Sequence, residues 1–448
     1  MAIRRFSKFL FNLKLFVLGI DLLLLSAVTY CVFQYRVLDA TATDLFSSPG
    51  YWFFAFSALF FCYLFGSYDI DKRFRKVLIS CFLGVFFSAL FVTFVNYVLY
   101  KERSGIFGRG VLVGSSLGFL VLAIFLRFFF SQIFNKIKSQ IEWTMFVDKE
   151  FKSDIEADIK RKNIEGMFRW EIAQPQITWH EMQKIIDKSS HLVIGVKPQA
   201  FDQTVNNGIL ENRLSGKSFI DLAEFYERFL DCMPVFYLNP QTLVFSSGFS
   251  LLENSYQIKT KRLADILLAV LVFVLTCPFL LLTALLIKLT SKGPVFYSQI
   301  RTGKDGKPFT LHKFRSMITA AEKDGPQWAS LNDNRITVIG KFIRKTRIDE
   351  LPQLLNILKG EMSFIGPRPE RPEFDKELKT QIPYYDLRYI VRPGLTGWAQ
   401  VEFPYGASID DSKKKLQYEI YYIKNYSFYF DLLILLKTFR VVFFGRGR

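Results

Sequence analysis

The sequence predicts a membrane protein of mixed α and α/β class, and three observations carry that expectation. Long apolar runs crowd the first 135 residues, short apolar runs alternate with amphipathic stretches over 139–254, and helix-spaced leucines recur among cations and prolines after 255. Half of the 448 residues are hydrophobic and 17% are aromatic, which is too apolar for an ordinary soluble protein. The expected domains are a four-span transmembrane bundle (1–138), an α/β domain (139–254) and a domain carrying the chemistry (255–448).

A bilayer core about 30 Å thick needs roughly 20 apolar residues in a helix. Leu15–Gln34, Tyr51–Gly66, Val77–Tyr100 and Gly110–Phe130 are the expected spans, the second being short. Asp21, embedded in the first, is expected to face the bundle interior. Lys and Arg favour the cytoplasmic side of short loops. They cluster at the N-terminus (Arg4, Arg5, Lys8, Lys14), in the second loop (Lys72, Arg73, Arg75, Lys76) and at the exit of the fourth span (Arg127, Lys136, Lys138). Lys101, Arg103 and Arg109 in the third loop run against this pattern, but the balance places both ends of the bundle in the cytoplasm. The N-terminus lacks a signal-peptide cleavage pattern and is expected to be a retained anchor.

Over 139–254, "WTMFVD", "HLVIGV" and "PVFYL" are expected strands, and "GKSFIDLAEFYERFL" an amphipathic helix. No G-x-G-x-x-G follows the first strand, so a regulatory or assembly role is expected rather than nucleotide binding. The domain offers a dimerisation element, which puts a homodimer among the expected assemblies.

Ile266–Ile287 is apolar for 22 residues, with Pro278 near its middle. Proline removes a backbone donor and clashes with the preceding turn. Two readings follow: a kinked crossing helix, or a re-entrant helix that leaves by the leaflet it entered. Cations flank both ends (Lys259, Lys261 and Arg262; Lys288 and Lys292), which favours same-side return.

The net charge is +17, and residues 255–448 hold 31 Lys+Arg against 18 Asp+Glu. Beside membrane segments, that surplus points to anionic lipid or phosphorylated substrates rather than nucleic acid. Five scattered cysteines and three histidines give no zinc or disulfide pattern. In "GPVFYSQIRTGKDGKPFTLHKFRSM", glycines and the cations Arg301, Lys313 and Arg315 suit close approach to an anion. Leu351, Leu354, Leu355 and Leu358 predict a helix stopped by Gly360, with Asp349 near its N-cap and Glu350 in its first turn. A helix N-terminus and the neighbours Arg344, Lys345 and Arg347 would keep Asp349 ionised and attract phosphate. Such a carboxylate suits attack on phosphorus, and the pair suits a hard divalent cation alongside phosphates. Prolines 367 and 369 present Arg368 rigidly, and "VRPGLTGWAQV" adds Arg392.

The strings "KRLAD", "GPVFYSQIRTGKDGKPF", "KFRSM", "RKTRIDELPQLLNILKGEMSFIGPRPE" and "VRPGLTGWAQV" together resemble the bacterial sugar transferase family, monotopic phosphoglycosyl transferases, over about 256–448. The layout resembles the family's long form, which implies a degenerate Rossmann-like cytosolic domain and a mainly α-helical catalytic domain. The resemblance implies a re-entrant helix over about 262–289, broken at Pro278. It implies transfer of a sugar-1-phosphate from a UDP-sugar to undecaprenyl phosphate, giving UMP and undecaprenyl-diphosphate sugar. That would be the first membrane step of O-antigen, capsule or exopolysaccharide assembly at the bacterial inner membrane, catalytic domain facing the cytoplasm. The implied course is ping-pong with Mg²⁺: Asp349 as nucleophile, Glu350 assisting the metal or the proton, and Arg344, Lys313, Arg315 and Arg368 binding phosphate and nucleotide. Arg301 and Arg392 complete the expected substrate-binding cations. Cys277 stands where some members have Ser, and Glu419 where many have Asp, which raises the question of whether Glu419 touches the metal or sugar. The competing reading is a catalytically dead membrane scaffold or regulator of polysaccharide assembly.

Overall fold

The computed structural model describes residues 2–36, 41–69, 74–99, 108–140, 143–162, 164–173, 177–196, 201–238, 240, 243, 248–249, 255–318, 335–403, 406 and 408–443. Two compact units emerge, Met1–Asp221 with Arg228–Leu230, and Leu222–Glu227 with Asp231–Arg448.

The first unit begins with α1 (Ala2–Arg36), a short α2 (Ala42–Ser47), α3 (Pro49–Phe65), α4 (Phe74–Leu99) and α5 (Arg109–Gln140). Val17, Leu25 and Phe33 of α1, Phe54 and Ala58 of α3, Val85 and Val92 of α4 and Phe119 and Ala123 of α5 share one buried core. The outward faces are apolar too: Leu23, Phe56, Phe94 and Phe125 are all more than 60% exposed. An element apolar on every side belongs in lipid. By length and composition, four helices among the described residues suffice to cross a membrane: Leu13–Arg36, Phe74–Tyr97, Arg109–Ile133 and, in the second unit, Ser255–Thr290. The short second span is the 17-residue α3. It cannot lengthen, because Pro49 occupies its first turn and Gly66, at φ 87°, caps it in the left-handed conformation.

Asp21 does face the bundle interior. Its partner corrects an expectation: Arg127 is no loop cation but lies inside α5, 1% exposed, its guanidinium clasping both Asp21 oxygens. A carboxylate about five turns into α1 compensates a guanidinium so enclosed. The predicted loop cations Lys72, Arg73, Lys101 and Arg103 lie outside the described residues.

A four-stranded parallel sheet follows, ordered β2-β1-β3-β4: β1 (Trp143–Val147), β2 (Phe168–Ile172), β3 (His191–Gly195) and β4 (Ser218–Asp221). Between strands run α6 (Lys149–Lys162), α7 (Trp179–Lys188) and α8 (Gln203–Leu214). β1 is buried throughout, as a central parallel strand should be. "PVFYL" is a turn, not a strand, and "SFID" is strand β4 rather than the start of a helix. Phe219 and Ile220 pair with Leu192 and Val193, so tertiary pairing overrides the helical spacing of that segment.

In the second unit, α9 (Leu222–Phe225) precedes α10 (Ser255–Thr290), a single 36-residue helix with Pro278 inside. Then come the antiparallel hairpin β5 (Phe296–Thr302) and β6 (Pro308–Phe314), α11 (Val338–Lys345), α12 (Leu354–Lys359), β7 (Ser363–Ile365), α13 (Pro372–Gln381), β8 (Gly394–Thr396), α14 (Trp398–Glu402), α15 (Ile409–Lys424) and α16 (Phe428–Phe443).

Candidate active site

The site is built on the turn between α11 and α12. Thr337 caps α11, its hydroxyl accepting the Gly340 N–H at 2.9 Å. Arg347 then takes a left-handed conformation (φ 59°), which a non-glycine side chain tolerates only under constraint. That reversal starts a 3-10 turn, Ile348–Gln353, which carries Asp349 and Glu350 inward to 8% and 7% exposure. The expected single helix with Asp349 at its N-cap is therefore two elements, with Arg347 in the cap position. Pro352 has no N–H for the α-helical ladder and falls inside the tighter turn, while Gly360 ends α12 as expected.

Buried Asn356 fixes this turn to the hairpin. It donates to the Thr310 carbonyl (2.7 Å) and Glu361 (2.7 Å), and its Oδ1 accepts the His312 N–H (3.3 Å). β6 thereby delivers Lys313 to the pair, 3.5 Å from Glu350 Oε1. The same oxygen accepts Arg368 Nη2 at 2.8 Å and Arg347 Nη1 at 3.5 Å. Arg368 follows β7 on a loop packed so closely that a β-carbon at Gly397 would lie 2.1 Å from the Gly366 carbonyl oxygen.

The two carboxylates differ sharply. Burial opposes the charge on Glu350, but Arg368, Lys313 and Arg347 outweigh it and hold its carboxyl well below the usual range. Asp349 is pushed up to about 6, by burial first and the charge of Glu350 second, against the pull of Lys313, Arg347 and Arg344. Asp349 is therefore ionised near neutral pH, as expected, but burial and the charge of Glu350 bring its proton within reach of mildly acidic conditions. Burial pulls Lys313 down to about 8 despite Glu350. Among the described residues, Asp349 Oδ1 is a buried oxygen with no hydrogen-bond partner.

The remaining expected residues are placed elsewhere. Arg344 acts on Asp349 through its charge. Arg301 grips the back of the Arg368 loop, bonding the Pro369 carbonyl (3.2 Å) and lying 3.6 Å from Glu370. Arg315 bonds the Ser291 carbonyl and hydroxyl (2.9 and 2.6 Å) at the foot of α10. Arg392 bonds the Gly360 carbonyl (2.9 Å) and lines a separate cleft with Lys261, Asp265, Lys304 and Tyr422. Glu419 is enclosed and bonded by Arg388 at 3.0 Å, and Asp431 by Lys261 at 2.7 Å. Asn356, Gln400 and Arg388 escape a sequence reading because the partners that tie them to the site (Thr310 and His312, Arg368, and the Arg368 carbonyl) lie 20 or more residues away.

A family model described as bacterial sugar transferase matches residues 256–445. A sugar transferase of Bacillus subtilis (strain 168), EpsL, is 40% identical over 191 residues, covering 42% of this chain and 89% of that protein. The chain belongs to the bacterial sugar transferase family. Longer members match as well. The UDP-N-acetylgalactosamine-undecaprenyl-phosphate N-acetylgalactosaminephosphotransferase of Aeromonas hydrophila is 50% identical over 198 residues, 44% of this chain and 47% of that protein. The UDP-glucose:undecaprenyl-phosphate glucose-1-phosphate transferase of Klebsiella pneumoniae is 41% identical over 187 residues, 41% and 40% of the two chains. The chain thus aligns with less than half the length of these two members. The family match contains Asp349, Glu350 and the cations Arg301, Lys313, Arg315, Arg344, Arg347, Arg368 and Arg392.

Proposed function

We propose that this sugar transferase moves a sugar-1-phosphate from a UDP-sugar to undecaprenyl phosphate, releasing UMP, at the cytoplasmic face of the bacterial inner membrane. The observation that carries the reading is the unmatched Asp349 Oδ1 beside a Glu350 already clamped by cations. The names of the relatives from Aeromonas hydrophila and Klebsiella pneumoniae describe this class of reaction for those proteins.

Above pH 6 Asp349 is mostly ionised. Its oxygen attacks the β-phosphorus of the UDP-sugar; a P–O bond forms to Asp349, and the bond to the bridging oxygen breaks with its electrons on UMP. An oxygen of undecaprenyl phosphate then attacks the same phosphorus and displaces the carboxylate, giving undecaprenyl-diphosphate sugar. Lys313, Arg344, Arg347 and Arg368 hold the phosphates throughout, and Arg368 and Lys313 keep Glu350 ionised. Among the described residues no group of three or more His, Cys, Asp or Glu gathers. The donor set fits Mg²⁺ nonetheless, since that ion is usually held by one or two carboxylates plus substrate phosphates; Asp349 and Glu350 are the two carboxylates. When bound, the ion neutralises diphosphate charge.

α10 enters and leaves the same leaflet in this reading. Near its start Arg262 bonds the Leu358 carbonyl at 2.8 Å; near its end Ile287 packs on Phe314 and Ile343. Leu358 and Phe314 belong to neighbouring pieces, since Asn356 bonds His312 and Thr310. Kept straight, a helix separates residues 262 and 287 by about 37 Å, farther than this short relay of contacts comfortably spans, which supports a bend at Pro278. Single cysteines at 255 and 292 should then be labelled from one side of the membrane; labelling from opposite sides excludes re-entry. The parallel sheet of the first unit, with no glycine-rich loop between β1 and α6, serves as a degenerate Rossmann-like assembly domain.

The deciding experiment incubates the protein with donor alone. A phosphosugar adduct on Asp349, found by mass spectrometry and discharged by undecaprenyl phosphate, is the expected result. An adduct on another side chain, or none during turnover, overturns the mechanism.

A further inference from the structure

Arg388 is 6% exposed and plays no part in the chemistry above. It sits on a 3-10 turn, Tyr385–Tyr389, and its Nη2 donates both to the Arg368 carbonyl (2.7 Å) and to Glu419 Oε1 (3.0 Å). Its Nη1 donates to the Tyr385 hydroxyl, which donates in turn to Asp375 Oδ1 at 3.1 Å. Glu370 and Lys415 are the other charged groups facing Glu419.

The Arg368 loop explains why a buried charge is spent there. Residues 367 and 369 are prolines, so neither supplies an N–H to pin the backbone. The loop is held through its carbonyls instead. Four successive ones accept from four donors: Pro367 from the Gly394 N–H (2.8 Å), Arg368 from Arg388 (2.7 Å), Pro369 from Arg301 (3.2 Å) and Glu370 from the Thr302 N–H (2.9 Å). From this cradle the Arg368 side chain reaches Glu350 at 2.8 Å and Gln400 at 3.2 Å. A buried ion pair is commonly replaceable by apolar groups without loss of stability, so stability alone does not account for Arg388 and Glu419. A guanidinium fork does, because it serves two acceptors in fixed directions, which an ammonium does poorly.

We infer that Arg388, anchored by Glu419, is a positioning residue for the proposed transfer: it fixes the Arg368 backbone so that the Arg368 guanidinium meets Glu350. The inference rests on the proposed function for its activity readout, and on geometry for the rest.

Full-length wild type, Arg388→Lys, Arg388→Met and the double variant Arg388→Met with Glu419→Gln are compared. The double variant removes both buried charges and is expected to be more stable than Arg388→Met alone, which strands Glu419. Hydrogen exchange of residues 366–371 should quicken in the Met-containing variants. UMP release should fall on the order of 100-fold in kcat/KM, the scale of an ångström misplacement, with Arg388→Lys between. The loss should persist when turnover is expressed per folded molecule and be partly rescued in Arg388→Lys, which a merely structural role would not produce. Asp349 and Glu350 face Lys313 from β6, Arg344 from α11, Arg347 from the turn and Arg368 from the loop, and of these only Arg368 is expected to move. Unchanged exchange in 366–371, or a lowered yield of folded protein with turnover per folded molecule unchanged, overturns the inference. If wild type makes no product, the proposed function falls, while the exchange measurement still decides whether Arg388 positions the loop.

Discussion

Two buried clusters of carboxylate and guanidinium make opposite use of charge. In the helix bundle, Asp21 and Arg127 are one against one: both carboxylate oxygens are taken by the two terminal nitrogens, Nε donates to Ser67 at 3.1 Å, and the Tyr68 ring covers the guanidinium at 5.0 Å. In the second unit, two carboxylates face Lys313, Arg344, Arg347 and Arg368, with one Asp349 oxygen unmatched. The matched pair is insulated and asks for nothing more. The mismatched cluster carries two surplus positive charges, which a diphosphate would neutralise, and an oxygen able to react.

The largest effect that would test this contrast is at the mismatched cluster. Asp349→Asn should lower UMP release by more than about a thousandfold, the scale reached when a nucleophile is lost, with the protein still folded in membranes. The pH profile gives the same cluster a second test. Activity should rise with pH through about 6 as Asp349 ionises and fall through about 8 as Lys313 loses its proton. Lys313→Arg should move the basic limb upward and leave the acidic one; a profile flat from 5 to 9 breaks the account.

At the matched cluster the loss should appear in stability instead. Arg127→Met strands a buried carboxylate and should cost about 3–5 kcal/mol, whereas Asp21→Asn with Arg127→Met should recover most of it. Thermal unfolding in detergent measures both, and turnover per folded molecule should stay at the wild-type value. A double variant as unstable as the single one would mean that the pair itself, not the stranded charge, holds the bundle.

A smaller effect runs the other way. Asp349 binds its proton more tightly folded than unfolded, so burying its charge opposes folding as pH rises from the usual carboxylate range, 3.8, through about 6, and the penalty persists above. Asp349→Asn should therefore stabilise the protein by about 3 kcal/mol at pH 8, at 1.36 kcal/mol per unit of pKa, and by nothing below pH 3.5. An inactive yet more stable variant would mark Asp349 as kept for chemistry.

What the sequence made legible follows from how local each signal is. The adjacent Asp349 and Glu350, the proline-flanked Arg368 and the Gly360 stop are all visible within 26 residues. So are the apolar spans: even the short second one, expected over Tyr51–Gly66, falls within two residues of the ends of α3, which Pro49 and Gly66 set. Three things were not legible. The ionisation of Asp349 depends on burial, which no neighbouring residue in the chain reports. Arg127 resembles a positive-inside loop cation until α1 is packed against α5 and Asp21 meets it. Arg388 has partners 20 and 31 residues away on two other elements, so its purpose exists only in three dimensions.

The smallest predicted effect guards against reading energy from distance. Lys379 and Asp386 lie 2.7 Å apart, as do Lys261 and Asp431, yet the side chains of the first pair are 39% and 71% exposed and those of the second 13% and 11%. Water already solvates the first pair, so Asp386→Asn should change stability by no more than about 0.5 kcal/mol and leave turnover alone. Asp431→Asn should cost more, because Lys261 and the Tyr422 hydroxyl both donate to that carboxylate in the dry interior. Equal losses from the two substitutions would mean that contact length, not desolvation, ranks these ion pairs. The contrast between the Asp21 and Asp349 clusters would then lose its physical basis.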